Sequence, residues 1–382
     1  MDSFSFRNPT NLVFGPGSIA RLPQLIPADS RILMVYGGGS IKQNGVYDAV
    51  TAQLQPYFVS EFAGIEANPT VQTIRRAVAQ AQREQCNFVL AVGGGSVIDA
   101  CKLISAAVPV QTDPWEIVLK GTCAGPFVPL ATVLTIPATG SEMNAGSVIS
   151  NADTQEKYSF RGQYPLFSVL DPTVPFSLPP YQVACGIADT WVHVMEQYLT
   201  WPGQSRLMDR WAEGICLTLR EIAPELTQDH RNAPLMSDFM VCATMALNGY
   251  LGWGVVQDWA THRIGHEITA LTGLTHGHTL AILLSSTMRV MKDLGKREKL
   301  LQYARRIWEI EEPDEDQAIE EAIGRTADFF TALGLPGKLS LCHIDQKVCR
   351  EIVRRFRERG TILGERANVD YQVVEQILAD AY

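Results

Sequence analysis

Asn87-Phe88-Val89-Leu90-Ala91-Val92-Gly93-Gly94-Gly95-Ser96-Val97-Ile98-Asp99-Ala100-Cys101-Lys102 is the stretch on which the fold turns. Six residues, mostly apolar, run straight into three glycines and a serine, and a helical pattern follows at once. A near-continuous apolar run of that length reads as a strand buried on both faces. The same device occurs upstream, where Arg31-Ile32-Leu33-Met34-Val35-Tyr36 ends in Gly37-Gly38-Gly39-Ser40. Between the two copies, Val71 to Gln85 has helical spacing behind a Pro69-Thr70 start signal. Pro129 to Ile136 and Leu166 to Leu170 supply further strands. Strand, loop, helix, strand in this order predicts a Rossmann-like α/β domain with a parallel sheet over residues 1–180.

Asp171 to Pro180 holds four prolines in ten residues, and reads as an extended linker in which neither helix nor central strand forms. Beyond it, strand signals fade and amphipathic helical patterns take over at 184–199, 205–222, 237–251 and 345–359. Residues 181–382 are therefore expected to form an all-α domain. At 382 residues, two domains are the better expectation than one. A formal charge of -9 argues against nucleic acid or an anionic membrane as partner. No signal peptide is apparent and no run of about 18 apolar residues occurs. The eight cysteines form no Cys-x-x-Cys pair, so reduced thiols in the cytoplasm are the simplest account.

Glycines after a strand let backbone approach a ligand closely, and the following helix N-terminus offers unpaired N–H groups to anionic oxygens. Neither loop is a G-x-G-x-x-G fingerprint or a P-loop; each alone also fits a tight turn with a serine cap. Two copies at the ends of two strands favour a nucleotide, with Gly37, Gly38, Gly39 and Ser40 in one loop and Gly93, Gly94, Gly95 and Ser96 in the other. Asp99 and Lys102 stand one helical turn apart and form a pair able to hold a ribose hydroxyl or a carboxamide. The first loop offers no acid to an adenosine ribose, and with Ser40 and Lys42 nearby that favours NADP(H) over NAD. A third loop, from Thr135 through Thr139 to Ser141, suits diphosphate or nicotinamide contacts and equally suits a capped helix start. Lys157 completes the candidate cofactor contacts.

The downstream half concentrates a second chemistry. Asp189 and His193 are spaced i, i+4, and so are His262 and His266; His276 follows past a glycine able to turn the chain. Singly, each histidine is more often a satisfied core or surface residue than a ligand. Jointly, a carboxylate and several imidazoles in one helical domain point to a metal between facing helices. Nitrogen donors with one oxygen suit Zn²⁺ or Fe²⁺ and not Mg²⁺ or Ca²⁺.

With these residues in view the chain resembles the iron-containing (group III) alcohol dehydrogenases over essentially its whole length. The resemblance is carried by Asn11-Leu12-Val13-Phe14-Gly15-Pro16-Gly17, Gly93-Gly94-Gly95-Ser96-x-x-Asp99, Thr139-Gly140-Ser141-Glu142, Leu170-Asp171-Pro172, Asp189-x-x-x-His193, and His262-x-x-x-His266 ending at His276-Gly277. Tyr36 to Ser40 and Gln257 to His262 look most like the branch of NADPH-dependent butanol dehydrogenases and broad aldehyde reductases. Thr275 departs from the proline many members carry, and His278 follows closely, read as supporting the ligands or the fold. The resemblance implies the dehydroquinate synthase-like architecture, a homodimer through the 4–13 segment, and one divalent ion on Asp189, His193, His262 and His276. It places the 37–40 loop at the adenosine end, the 93–96 loop at the diphosphate, and His266 beside the nicotinamide as a proton-transfer group that does not bind metal.

The expected activity is hydride transfer between NADP(H) and a short- to medium-chain primary alcohol or aldehyde. A metal-dependent lyase or cyclase of the dehydroquinate synthase type is the alternative; it needs clustered cations, whereas Trp253, Trp259, Leu251 and Met245 supply apolar lining with Arg263 the one nearby cation. A catalytically silent nucleotide-binding regulator is the rival from another class, and it does not account for an intact ligand set.

Overall fold

The computed structural model describes residues 1–382. By its internal contacts the chain forms two compact units, one of Arg7–Leu178 with His230–Thr244, the other of Met1–Phe6, Pro179–Asp229 and Met245–Tyr382. Two segments thus depart from a simple split at residue 180.

The first unit holds strands β1 (Asn11–Phe14), β2 (Arg31–Tyr36), β3 (Phe58–Phe62), β4 (Phe88–Gly93) and β5 (Leu130–Leu134), a hairpin of β6 (Gly146–Asn151) and β7 (Glu156–Arg161), and β8 (Phe167–Leu170). Its helices are α1 (Leu22–Leu25), α2 (Val46–Gln53), α3 (Val71–Arg83), α4 (Gly95–Ala107) and α5 (Pro114–Leu119). Six strands make one parallel sheet in the order β1-β8-β5-β4-β2-β3. Alternate residues of each central strand serve opposite cores. Leu33, Val35, Val89 and Ala91 pack with α3 and α4, while Ile32, Met34, Leu90 and Val92 pack with Leu22, Val46 and Val50 on the other face. Both faces are covered, which is why these strands read as unbroken apolar runs.

From β2 the chain steps outward to β3, then crosses back over β2 to β4 and continues to β5. The direction of winding reverses between β2 and β4, and a crevice outside the carboxyl ends of strands at such a point is where open α/β sheets take ligands. The two Gly-Gly-Gly-Ser loops leave those two carboxyl ends.

The rest of the chain is helical: α6 (Pro180–Tyr198), α7 (Arg206–Gln228), α8 (Ala233–Ala246), α9 (Ala260–Thr272), α10 (His276–Met291), α11 (Arg297–Arg306), α12 (Glu315–Ala332), α13 (Gln346–Arg359) and α14 (Tyr371–Ala381). Most of α8 belongs to the sheet unit, where Met240 joins the α3/α4 core. In the helical unit one core gathers Ile264 and Ile268 of α9, Ile282 and Leu283 of α10, and Ile352, Phe356, Val374 and Ile377 of α13 and α14. No helix is long and apolar enough to cross a membrane.

The proline-rich segment is not wholly extended. Val174–Ser177 makes a 3₁₀ turn with Pro175 inside it, and α6 begins on Pro180. A proline in the first helical turn forfeits only an N–H that has no partner there, and its fixed φ suits the helix, so proline at that position starts a helix and does not prevent one.

Candidate metal centre and nucleotide loops

Helix α6 carries Asp189 and His193 on one face, α9 carries His262 and His266, and α10 opens on His276. All lie in the helical unit. Asp189, His262 and His276 each bring one donor atom to within 4.8 Å of the others. His193 stands beside that set, its Nδ1 3.7 Å from Asp189 Oδ1 and its ring stacked on His262 at 4.5 Å between centroids. His266 is outside the set; its ring centroid is 4.7 Å from that of His276 and 6.3 Å from that of His262. Trp259 packs edge-on against His262 and His193.

The cluster is assembled by a close helix approach. A Cβ on Gly277 would run into the backbone carbonyl of Cys185, with the Cys185 carbonyl carbon at 2.8 Å and its Cα at 3.1 Å. Only glycine lets the first turn of α10 lie on α6 this closely, and that turn carries His276. His278 joins the same helices, with Nδ1 3.1 Å from the Tyr181 hydroxyl and Nε2 3.1 Å from the Pro336 carbonyl. Its role here is structural, tying the starts of α6 and α10.

Asp189 Oδ1, His193 Nδ1 and His262 Nε2 are buried with no hydrogen-bond partner. Each such atom costs about 1–3 kcal/mol if nothing meets it. Asp189 Oδ1 lies 3.7 Å from His262 Nε2, too far for a hydrogen bond between them. Donors sharing one tetrahedral ion with bonds near 2.1 Å sit roughly 3.4 Å apart, so the spacing fits a single transition-metal ion. Charge agrees. Burial pushes the Asp189 carboxyl upward, but His193, His262 and His276 outweigh it and hold the group well below the usual carboxylate range. Burial brings His193 down to about 4 against the pull of Asp189. His262 is buried too, yet Glu196 and Asp189 flank it and raise it to about 9.

A histidine raised above its unfolded value of about 6.5 stabilises the fold fully below that pH, and the contribution is lost as pH rises through about 9. In protein stripped of metal this His262 contribution, on the order of 1–3 kcal/mol, is therefore expected to be lost between pH 7 and pH 10. It is read as the difference from Zn²⁺-loaded protein, in which the other titrating groups are the same. Thermal melts across that range check this. Zn²⁺-loaded protein should lose less, because the ion replaces the proton.

Glu196 is the residue that sequence reasoning missed. It follows Asp189 and His193 on the same face of α6, at i+7 and i+3, and that spacing was the available signal. Its carboxylate accepts from the Thr261 N–H at 2.5 Å, from the His262 N–H, and pairs with His262 Nδ1. Of the expected apolar lining, Trp253 lies within an aromatic cluster of Phe4, Phe6, Trp211 and Tyr250, Leu251 is buried, and Met245 Sδ contacts the Asn248 amide.

In the sheet unit the two glycine loops differ in kind. A Cβ on Gly93 would lie 2.5 Å from Val97 Cγ2, on Gly94 2.9 Å from Ile136 Cβ, and on Gly95 it would strike Thr139. Gly94 and Gly95 let the 135–141 loop lie directly on the start of α4, and Gly93 makes room for Val97 of α4 itself. In the other loop, Cβ atoms on Gly38 and Gly39 would meet nothing within 4 Å. Gly39 needs glycine for its φ of 98°, but Gly38 has no packing reason to lack a side chain. The open surface it leaves suits an incoming ligand.

Asp99 and Lys102 spend their polar groups inside the protein. Lys102, fully buried, donates to Ser141 Oγ, Asn144 Oδ1 and the Gly146 carbonyl. Asp99 accepts from Ser141 Oγ at 2.6 Å and from the Val148 N–H at 2.8 Å. Burial pushes the Lys102 ammonium down to about 8 against Asp99 and Glu142. The pair braces the 139–148 segment. Thr135 is joined to Gly93 by a backbone hydrogen bond, Thr139 Oγ1 accepts from the Ser141 N–H, Ser96 Oγ donates to the Ala67 carbonyl, and Lys157 donates to Asn68.

An acid does stand near the 37–40 loop. Glu61 on β3 accepts from the hydroxyls of Tyr36 and Tyr47 at 2.9 and 2.7 Å, and Lys42 lies 3.9 Å away. Each of its oxygens accepts one tyrosine hydroxyl and Lys42 stands beside it, so the loop's own residues offer no carboxylate while this neighbouring strand does.

Comparison with known proteins identifies the family. Residues 9–172 match the model of the iron-containing alcohol dehydrogenase family, and residues 183–382 match that of the Fe-containing alcohol dehydrogenase family, C-terminal. The chain is 45% identical to the NADPH-dependent aldehyde reductase YqhD of Escherichia coli K12, across 99% of both sequences. It is 40% identical to the probable NADH-dependent butanol dehydrogenase 1 of Bacillus subtilis 168, again across 99% of each. Among solved structures, E. coli YqhD superposes with a TM-score of 0.97 at 44% identity, covering 100% of this chain and 99% of the other. The NADH-dependent butanol dehydrogenase A of Thermotoga maritima gives 0.94 at 32%, with the same coverage. The chain belongs to the iron-containing alcohol dehydrogenase family and is an oxidoreductase of the alcohol dehydrogenase and aldehyde reductase type.

Proposed function

We propose that this chain reduces short- to medium-chain aldehydes with NADPH, and oxidises the matching primary alcohols in reverse, using one divalent ion, Zn²⁺ or Fe²⁺, held by Asp189, His193, His262 and His276. The observation that carries the proposal is the set of buried, unpartnered donor atoms on Asp189, His193 and His262, spaced for one ion. Once bound, the ion supplies Lewis acidity toward the oxygen of the reacting carbonyl or alcohol, and the nicotinamide supplies or takes the hydride.

The protein's own groups do the rest. Trp259, against the rings of His262 and His193, gives the donor cluster an apolar neighbour and favours an uncharged aliphatic substrate. His266 is partly exposed and one helical turn from His262, placed to move the substrate's proton to and from solvent. Gly37 to Ser40 take the adenosine end of the cofactor and Gly93 to Ser96 the diphosphate. Thr135, Thr139, Ser141 and Lys157 complete the contacts, with Asp99 and Lys102 acting through Ser141. Ser40 and the half-exposed Lys42, beside a Glu61 already engaged by two tyrosines, favour the 2′-phosphate of NADP(H).

Two further properties belong to this reading. Edge strand β1 leaves Leu12 38% and Phe14 42% exposed, which favours a homodimer through that edge. Eight free thiols favour a reducing, cytoplasmic compartment.

The test is the rate of NADPH and NADH oxidation over C2–C6 aldehydes, with Zn²⁺- and Fe²⁺-loaded protein measured separately. NADPH is expected to be preferred at least tenfold, with a maximum at an uncharged aldehyde of intermediate length. Equal rates with NADH would overturn the cofactor assignment. His266→Ala is expected to keep its metal and lose about 10²-fold in kcat, with the pH profile altered. Loss of metal in that variant would make His266 a ligand instead.

A further inference from the structure

We propose that Glu196 is a positioning residue of the metal centre, fixing the proton of His262 on Nδ1 so that Nε2 is left as a bare donor facing Asp189. This rests on the reading of Asp189, His193, His262 and His276 as ligands.

The argument starts from what surrounds the carboxylate. Glu196 is buried, at 4% exposure, and every hydrogen-bonding group that meets it is an N–H or can carry one. Oε1 accepts from the Thr261 N–H at 2.5 Å and the His262 N–H at 3.3 Å; Oε2 is 3.3 Å from the same His262 N–H and pairs closely with His262 Nδ1. Those backbone donors belong to the first turn of α9, whose N-cap residue Trp259 offers no side-chain cap. Asp258 meets the Ala260 N–H, and a carboxylate from another helix meets the next two, where its negative charge suits that end of the helix.

The same charge decides the imidazole. A ring nitrogen pressed against a carboxylate holds the proton, and the other nitrogen is then the lone-pair site. In His262 that other nitrogen is Nε2, which is buried, has no hydrogen-bond partner, and lies 3.7 Å from Asp189 Oδ1. Glu196 therefore sets both the orientation and the tautomer that a metal needs.

Glutamine cannot replace it. Its single oxygen can serve the helix N–H groups or His262 Nδ1, but its NH₂ must then confront the other. Facing His262, the amide would draw the proton to Nε2 and block the donor. Asp258 is the control, because its Oδ1 caps the same helix at the Ala260 N–H, 2.7 Å away, without touching His262. Its Oδ2 also pairs with the buried Lys296 at 2.6 Å, so each variant's Tm is measured beside its Kd and only folded protein is compared.

The experiment measures the Zn²⁺ Kd by chelator competition, and the His262 Nδ1–H resonance in Zn²⁺-loaded, ¹⁵N-histidine-labelled protein. It compares the wild type with Glu196→Gln, Glu196→Ala and Asp258→Asn. Wild type should bind one Zn²⁺ and show a far-downfield, slowly exchanging Nδ1–H. Both Glu196 variants should bind Zn²⁺ 10- to 100-fold more weakly and lose that resonance, while Asp258→Asn keeps it. An unchanged Kd and resonance in the Glu196 variants would overturn the proposal. So would an equal loss of affinity in Asp258→Asn, which would make Glu196 a helix cap and nothing more. Failure of the wild type to bind Zn²⁺ would instead remove the metal-centre reading itself. If neither Glu196 variant folds, the wild-type spectrum decides, and a His262 protonated on Nε2 contradicts the assignment.

Discussion

Asp189→Asn is expected to leave the protein folded, without its metal, and about 10³-fold or more down in kcat/KM. The substitution keeps the size of the side chain and removes the one negative charge shared by three imidazoles. In the native arrangement those imidazoles hold the carboxyl far below its usual range despite full burial. An amide in its place turns either a neutral oxygen or an N–H toward His193 Nδ1 and His262 Nε2, each 3.7 Å from the carboxylate oxygen. Lewis acidity toward the reacting oxygen is worth several kcal/mol, and about 1.4 kcal/mol is a factor of ten, so loss of the ion alone accounts for the drop. Metal content after dialysis and steady-state kinetics with butanal and NADPH read it out. A variant that keeps a full equivalent of metal and works within tenfold of wild type would show that Asp189 is not a ligand.

Gly277→Ala is the second large effect, and it touches no polar group. The added methyl meets the carbonyl oxygen, carbonyl carbon and Cα of Cys185, all backbone atoms of α6. Backbone cannot rotate aside as a side chain can. The first turn of α10 must move, and His276 moves with it away from Asp189. Overpacking of this kind costs about 1–3 kcal/mol or more. A misplacement of about 1 Å at a reacting centre costs about 10²-fold. The expected result is a lowered Tm together with weaker metal binding and lower kcat. Two other helical glycines calibrate it. Gly265 faces the side chains of Leu280 and Thr279 at 3.0 Å, which can give way, so Gly265→Ala should be milder. Gly324 of α12 faces open space, and Gly324→Ala should stabilise by about 1 kcal/mol through helix propensity.

What could be read from sequence follows from how each element is buried. β2, β4, β5 and β8 are covered on both faces and announce themselves as apolar runs. β3, at the sheet edge, spells Phe58-Val59-Ser60-Glu61-Phe62, and its polar residues hide it. The β6–β7 hairpin pairs mixed polar segments such as Ser150 with Lys157, and no apolar period marks it. The candidate pairs Asp189 with His193 and His262 with His266 could be picked out because i, i+4 spacing projects onto one helix face, and His276 only because it follows them closely. Glu196 obeys the same spacing, but a buried glutamate declares its function only through the backbone N–H groups it caps, which come from a helix 65 positions later. Asp99 and Lys102 share a helix face as expected, yet which atoms they would meet depended on the separate 139–148 segment. Gly277 is silent in sequence for the same reason, since its need is set by a carbonyl of another helix.

The most direct measurement strips the protein with a chelator, then titrates back Zn²⁺ or Fe²⁺ while following NADPH oxidation by butanal. Activity should vanish with the metal and return in proportion to it, reaching its plateau at one ion per chain. Full turnover by thoroughly stripped protein would contradict the account at its centre.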